Sequence, residues 1–180
     1  MKLVATAIDR DGELLERVAR GDTQAIGALY QLHARSLLRF AARAVGPAEA
    51  EDLVHAAFIR AADRASTFDP QLGSARGWLF GITGRLVQER RRALSSTARA
   101  LLRFGAGAAR AMTGTSNERH DLERALASLS EAKRVVILLA EVEGYTGEEI
   151  ATMLEIPVGT VWTRLHHARR EMRVFYEETR

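Results

Sequence analysis

Thr146-Gly147-Glu148-Glu149 sets a hydroxyl three residues ahead of a carboxylate, the pattern of a helix start whose two side chains cap each other's amides. That one feature constrains its whole neighbourhood. Ahead of it, Val135, Val136, Leu138, Leu139 and Val142 recur at helical spacing, and Gly144 stands where a helix ends. Behind it, Ile150, Ala151, Met153 and Leu154 give a short apolar face. Glu155 and Ile156 leave room for a tight turn before Pro157, which suits a first helical turn. Two short helices joined this way, with Ala151 small enough for close packing, predict a helix-turn-helix.

The helix that follows divides into faces when each residue advances by about 100°. Val161, Leu165, Ala168 and Met172 share one stripe and are expected to pack inward. Trp162, Thr163, His166, His167 and Arg170 lie opposite, with Thr160 and Arg164 flanking. Hydroxyl and imidazole groups can bond base edges, and Trp162 can meet a thymine methyl or a sugar. Arg164, Arg169, Arg170 and Arg173 are expected to hold phosphates. The plainer alternative is an acidic helical domain whose arginine-rich last helix is merely solvated. Cap, turn, Pro157 and face division together favour DNA. His166 and His167 point in different directions and have no third ligand at suitable spacing, so no metal site is expected.

The first ninety residues read as successive helices. Leu14, Leu15 and Val18 form a stripe stopped at Gly21. Asp22 can cap a long segment carrying Ile26, Leu29, Tyr30, Leu37, Leu38, Ala41 and Val45. Gly46-Pro47 breaks it, and Glu49, Glu51 and Asp52 then suit the positive end of a helix dipole. A turn-rich loop spans residues 66–74. A further helix from Trp78 is predicted to end in Glu89-Arg90-Arg91-Arg92. Residues 93–120, dominated by Ala, Gly, Ser, Thr and Arg, read as a linker of low intrinsic order. No strand-like alternation occurs. The expected fold is all-α, with helical domains over residues 1–92 and 121–180 joined by that linker.

Composition narrows the function. Lys and Arg total 26 against 23 Asp and Glu, a net charge of only +3. Its distribution is uneven: 14 basic against 11 acidic groups over 1–92, 4 against 1 over 93–120, and 8 against 11 over 121–180. Any nucleic-acid contact in the C-terminal part must therefore come from a local arginine cluster. There is no cysteine, hence no disulfide, thiolate metal site or thiol switch. No apolar run approaches the ~18 residues of a membrane span, and 3–8 is too short for a signal-peptide core. No phosphate-binding glycine loop or nucleophile motif is present, and the acidic pairs are better explained as helix starts. A soluble cytoplasmic protein that is not an enzyme and needs no cofactor is expected.

Leu129 through Met172 resembles region 4 of bacterial sigma factors. The likeness rests on Glu143-Gly144-Tyr145, Glu148-Glu149-Ile150-Ala151, Val158-Gly159-Thr160-Val161 and Arg164-Leu165-His166-His167-Ala168-Arg169. Region 2 of the same family is matched by Gly21-Asp22, Ala25, Leu29-Tyr30, Ala50-Glu51-Asp52-Leu53-Val54, Phe58 and the Trp78-Leu79-Phe80-x-Ile82 run. The chain is most similar to the small extracytoplasmic-function (group IV) class. That resemblance implies binding to core RNA polymerase, recognition of −35 and −10 promoter DNA, and duplex opening without hydrolysis.

Carried over by position, the resemblance implies a polymerase contact from Glu51, Asp52, Leu53, His55, Phe58 and Ile59. It implies a −10 site from Phe68, Ser74, Arg76, Trp78, Phe80, Arg85, Gln88 and Arg92, within a loop that holds a flipped base and a helix along the strand. The −35 site would be the outer face from Thr160 to Arg170. The family usually has Gln-Asp/Glu where His55-Ala56 stands, and often Asn and Asp where Arg85 and Glu89 stand. The second change implies a shifted −10 preference, or more phosphate contact and less base reading. Trp78 at a helix start is also a common core residue, and Phe68 and Phe80 read either way. In the family the linker threads near the active-site and RNA-exit channels. An anti-sigma protein clamping both domains is the expected carrier of any inducing signal. Two other functions remain open at this point: a stand-alone helix-turn-helix regulator, and a sigma-like decoy that sequesters an anti-sigma protein.

Overall fold

Helix starts and stops follow local chemistry closely. In the computed structural model, the backbone is described for residues 2–102 and 118–179, and side chains for 10–90 and 121–179. α1 spans Lys2–Ala19 and α2 spans Thr23–Val45. Between them, the Asp22 carboxylate accepts the amides of Gln24 (2.9 Å) and Ala25 (3.3 Å) and pairs with Arg17 at 2.7 Å. The Arg17 hydrogen bond, helped by those amides, holds the Asp22 carboxyl below the usual range. α3, Pro47–Arg64, has its proline in the first turn, and a short 3-10 turn covers Ala65–Thr67.

α4 runs from Ala75 to Leu102, with the Ser74 hydroxyl accepting the Gly77 amide at 3.1 Å. It therefore continues past Arg92 into the stretch expected to be linker. The sequence Ala93-Leu94-Ser95-Ser96-Thr97-Ala98-Arg99-Ala100-Leu101-Leu102 contains no glycine or proline, so nothing in it terminates a helix. The rest of the linker expectation, residues 103–117, lies outside the described residues.

α5 (Glu118–Ser128), α6 (Glu131–Ile137), α7 (Gly147–Leu154) and α8 (Val158–Thr179) form the C-terminal part. α6 widens into a π-turn over Leu138–Val142 before Gly144 turns the chain at φ 79°. The predicted capping box is present: Thr146 Oγ1 accepts the Glu149 amide, and the Glu149 carboxylate accepts the Thr146 amide at 2.7 Å. Glu155 ends α7 in the left-handed region at φ 55°. The Pro157 carbonyl accepts the amides of Thr160 and Val161 as α8 begins.

In the N-terminal bundle, α2 packs on α1 and α3, and α4 closes the group. Leu15, Leu29, Leu37, Phe40, Val54 and Leu79 are completely or almost completely buried there. α6, α7 and α8 enclose Val135, Leu139, Ile150, Val161 and Leu165. The two parts are not held apart. α4 lies directly on α7 and α6, α2 touches α5 and α6, and the buried apolar residues form one continuous cluster. Two helical domains on a basic tether were expected; among the described residues the two parts lie directly against each other. Among the described residues, every regular element is helical.

Candidate nucleic-acid interface

α8 divides into faces as its sequence requires. Val161, Leu165 and Ala168 are buried, and Met172 packs on the core. Trp162, Thr163, His166, His167 and Arg170 are exposed, while Thr160 and Arg164 are half-buried. Trp162 is nonetheless supported from beneath. A Cβ on Gly147 would come within 2.5 Å of its ring, so the indole packs closely on the start of α7. Thr163 donates to the Gly159 carbonyl at 2.8 Å, leaving its oxygen free to accept. Arg169 is exposed and pairs with Glu141 at 2.6 Å, and Arg170 and Arg173 are exposed as well.

The eight residues expected at the −10 site divide into three groups. Phe68, Ser74, Trp78 and Arg85 line one cavity where the 68–74 loop and α4 face α7, while Arg76 bonds Tyr145 just ahead of α7 and Gln88 is half-buried farther along α4. Phe68 and Trp78 meet edge to face at 5.8 Å and are both half-buried. Phe80 is fully buried between Phe40 (5.3 Å) and Tyr145 (6.1 Å), so it is a core residue and cannot stack on a base. The Arg92 side chain lies outside the described residues. A cavity of about 300 Å³ sits among Phe68, Trp78, Arg64, Arg85 and Tyr145. Burial pushes the Tyr145 phenol up, partly opposed by the Arg76 guanidinium 3.0 Å from its oxygen.

On α3 the expected polymerase face also divides. Glu51, Asp52, His55 and Ile59 are exposed, Ile59 at 66%. Leu53 and Phe58 are buried in the bundle, Phe58 against Tyr30 at 4.8 Å. They support the face from below and cannot touch a partner directly.

Known proteins are similar to this chain in sequence and fold. Residues 29–97 match the family model described as Sigma-70 region 2, and residues 119–172 match Sigma-70, region 4. The ECF RNA polymerase sigma factor SigL of Mycobacterium tuberculosis is 32% identical over 167 residues, covering 89% of this chain and 93% of that protein. The chain belongs to the ECF RNA polymerase sigma factors. The ECF RNA polymerase sigma-E factor of Escherichia coli K12 is 31% identical over 173 residues, covering 88% and 90%. The solved structure of CnrH with the cytosolic domain of CnrY superposes with a TM-score of 0.63 at 26% identity, covering 93% of this chain and 97% of that one. The sigma factor RpoE from Bartonella quintana, solved with the anti-sigma factor NepR, shares the fold with a TM-score of 0.64 at 24% identity, covering 86% and 98%.

Within this sigma factor the departures from the family pattern have local explanations. His55 stacks beside Tyr30 and lies 3.3 Å from its hydroxyl. Glu89 pairs with Arg60 at 3.3 Å. Arg85 donates to the Met153 carbonyl at 2.7 Å and pairs with Glu155 at 2.8 Å. Glu143, Tyr145, Met153 and Glu155 were not anticipated as partners of the −10 residues. The signal that could have found them was Gly77, Gly81 and Gly84, whose i, i+4, i+7 spacing lays bare one side of α4 for a close-packed helix.

Proposed function

We propose that α8 reads the −35 element through Thr160, Trp162, Thr163, Arg164, His166, His167 and Arg170, and that α3 docks on core RNA polymerase through Glu51, Asp52, His55 and Ile59. The 68–74 loop and α4 would hold the melted −10 strand through Phe68, Ser74, Trp78, Arg85 and Gln88. The observation that carries this reading is α8 itself: its apolar stripe is buried while the opposite, hydrogen-bonding face is exposed next to a properly capped helix-turn-helix. Opening the duplex needs no hydrolysis, since captured bases and polymerase contacts supply the energy, so the chain works without a catalytic site or cofactor. A protein that acts on core polymerase works in the cytoplasm. The Bartonella quintana sigma factor was solved in complex with an anti-sigma factor, and an anti-sigma protein covering both domains is the expected regulator of this chain.

Run-off transcription with purified core polymerase tests the function, and promoter-dependent transcripts are expected only when this chain is added. Absence of stimulation would sink the reading. Individual contacts are separable on promoter duplexes. Arg170→Ala should weaken binding across all sequences and flatten the plot of log affinity against log salt by ~0.9, one phosphate's worth. Thr163→Ala and His167→Ala should instead relax −35 sequence preference by about 1–3 kcal/mol per lost base contact. A change of specificity alone in Arg170→Ala would reverse the assignment.

A further inference from the structure

The side of α4 expected to meet the −10 strand is the side that lies on α7. Gly77, Gly81, Gly84 and Gln88 follow one another at i, i+4, i+7 and i+11 along it. The contact is close enough to exclude side chains. A Cβ on Gly81 would overlap the Met153 carbonyl oxygen, and one on Gly84 would come within 2.9 Å of Leu154 and 3.0 Å of Val135. Helices meet backbone to side chain in this way only where the small residues and the partner surface are matched.

Charge reinforces the fit at both ends of α7. Arg85 reaches the last turn of α7, where the Met153 carbonyl lacks a partner of its own helix, and pairs there with Glu155. Arg76 bonds the Tyr145 hydroxyl and pairs with Glu143 at 2.5 Å, just ahead of α7, while its guanidinium stacks on Phe80 at 4.7 Å. Away from α7, Arg134 of α6 donates to the Ala44 carbonyl at the end of α2 at 2.7 Å. The fit is incomplete at Gln88, whose Nε2 is buried without a hydrogen-bond partner among the described residues.

We propose that this docking is autoinhibitory: in the free sigma factor, α7 covers the strand-binding side of α4 and withholds it from single-stranded DNA. The −35 face of α8 and the polymerase face of α3 stay exposed in the same arrangement. Closed chains can therefore meet core polymerase and duplex DNA before they can hold a melted strand. Separation of the two parts by polymerase then frees Arg76 and Arg85 for phosphate and gives the Gln88 amide a base or phosphate to bond. The proposal rests on the −10 reading above and adds a mechanism for keeping that surface silent.

Small-angle scattering and binding of a random-sequence 12-nucleotide single-stranded DNA test it on the full chain. The double variant E143Q/E155Q removes both ion pairs from the α7 side, and E177Q/E178Q, with the same charge change on exposed residues of α8, is the control. A closed wild type is expected near the ~16 Å radius of gyration of a compact chain this long. E143Q/E155Q should enlarge by several ångströms and bind the oligonucleotide about tenfold or more tighter than the control. Gly81→Leu provides an independent wedge and should expand the chain similarly. An expanded wild type would overturn the closed state, and no expansion in either variant would overturn the assignment of the α4–α7 contact as what holds it closed. Expansion with no gain in DNA binding would overturn the inhibition. Adding Trp78→Ala to E143Q/E155Q separates the two ideas: if the gain survives that change, inhibition stands and the −10 assignment falls.

Discussion

Phe58→Ala should destabilise the N-terminal bundle by about 3–5 kcal/mol, because it empties a buried ring site that repacks only partly. Its neighbour Ile59→Ala should change stability by no more than about 0.5 kcal/mol, as an exposed residue does. Phe58 is 5% exposed and packs on Tyr30, whereas Ile59 is 66% exposed. Affinity for core polymerase should reverse the order of effects among molecules that remain folded. Ile59→Ala should lose on the order of 1–2 kcal/mol as a truncated apolar contact, about tenfold in Kd. Chemical unfolding of each variant, followed by polymerase binding at a temperature where both are folded, gives the two numbers. Equal loss of stability from both substitutions would remove Ile59 from the surface reading.

That pair also shows what a sequence can and cannot reveal here. Helical periodicity identified the buried stripe of α8 without error, because Val161, Leu165 and Ala168 face a core supplied by adjacent helices. Local caps were equally readable: Asp22, Pro47 and Thr146-Glu149 act within a few residues of themselves. A family motif is less discriminating, since it joins core and surface residues in one string. Leu53, Phe58 and Phe80 belong to the motifs through packing, and only burial distinguishes them from Glu51, Ile59 and Trp78. The end of α4 was misplaced because a basic run does not stop a helix; a residue that breaks the hydrogen-bond ladder is needed, and none comes before Gly105. Docking of α4 on α7 was the least visible feature. The glycine spacing at 77, 81 and 84 marks a side of α4 left bare for a helix, but which helix fills it depends on residues about 70 positions apart, such as Arg85 with Met153 and Arg76 with Glu143.

Trp78 and Phe80 put the same distinction to work inside the −10 site. Phe80→Ala should cost about 3–5 kcal/mol of stability, since its ring fills the space between Phe40 and Tyr145 and carries the Arg76 guanidinium on its face. The loss should loosen the domain contact as well, because Arg76 and Tyr145 both lean on that ring. Trp78 is half-buried beside Phe68, so part of its surface is free to meet a base once α7 has moved. In the opened E143Q/E155Q chain, Trp78→Ala should weaken single-stranded DNA binding by about 1–3 kcal/mol, the worth of one stacked base. Trp78→Phe should recover most of that loss, because a smaller ring still offers a π-face. Failure of phenylalanine to restore binding, with thermal stability unchanged, would mean that the indole acts through its N–H or its packing on Phe68 and not as a base platform.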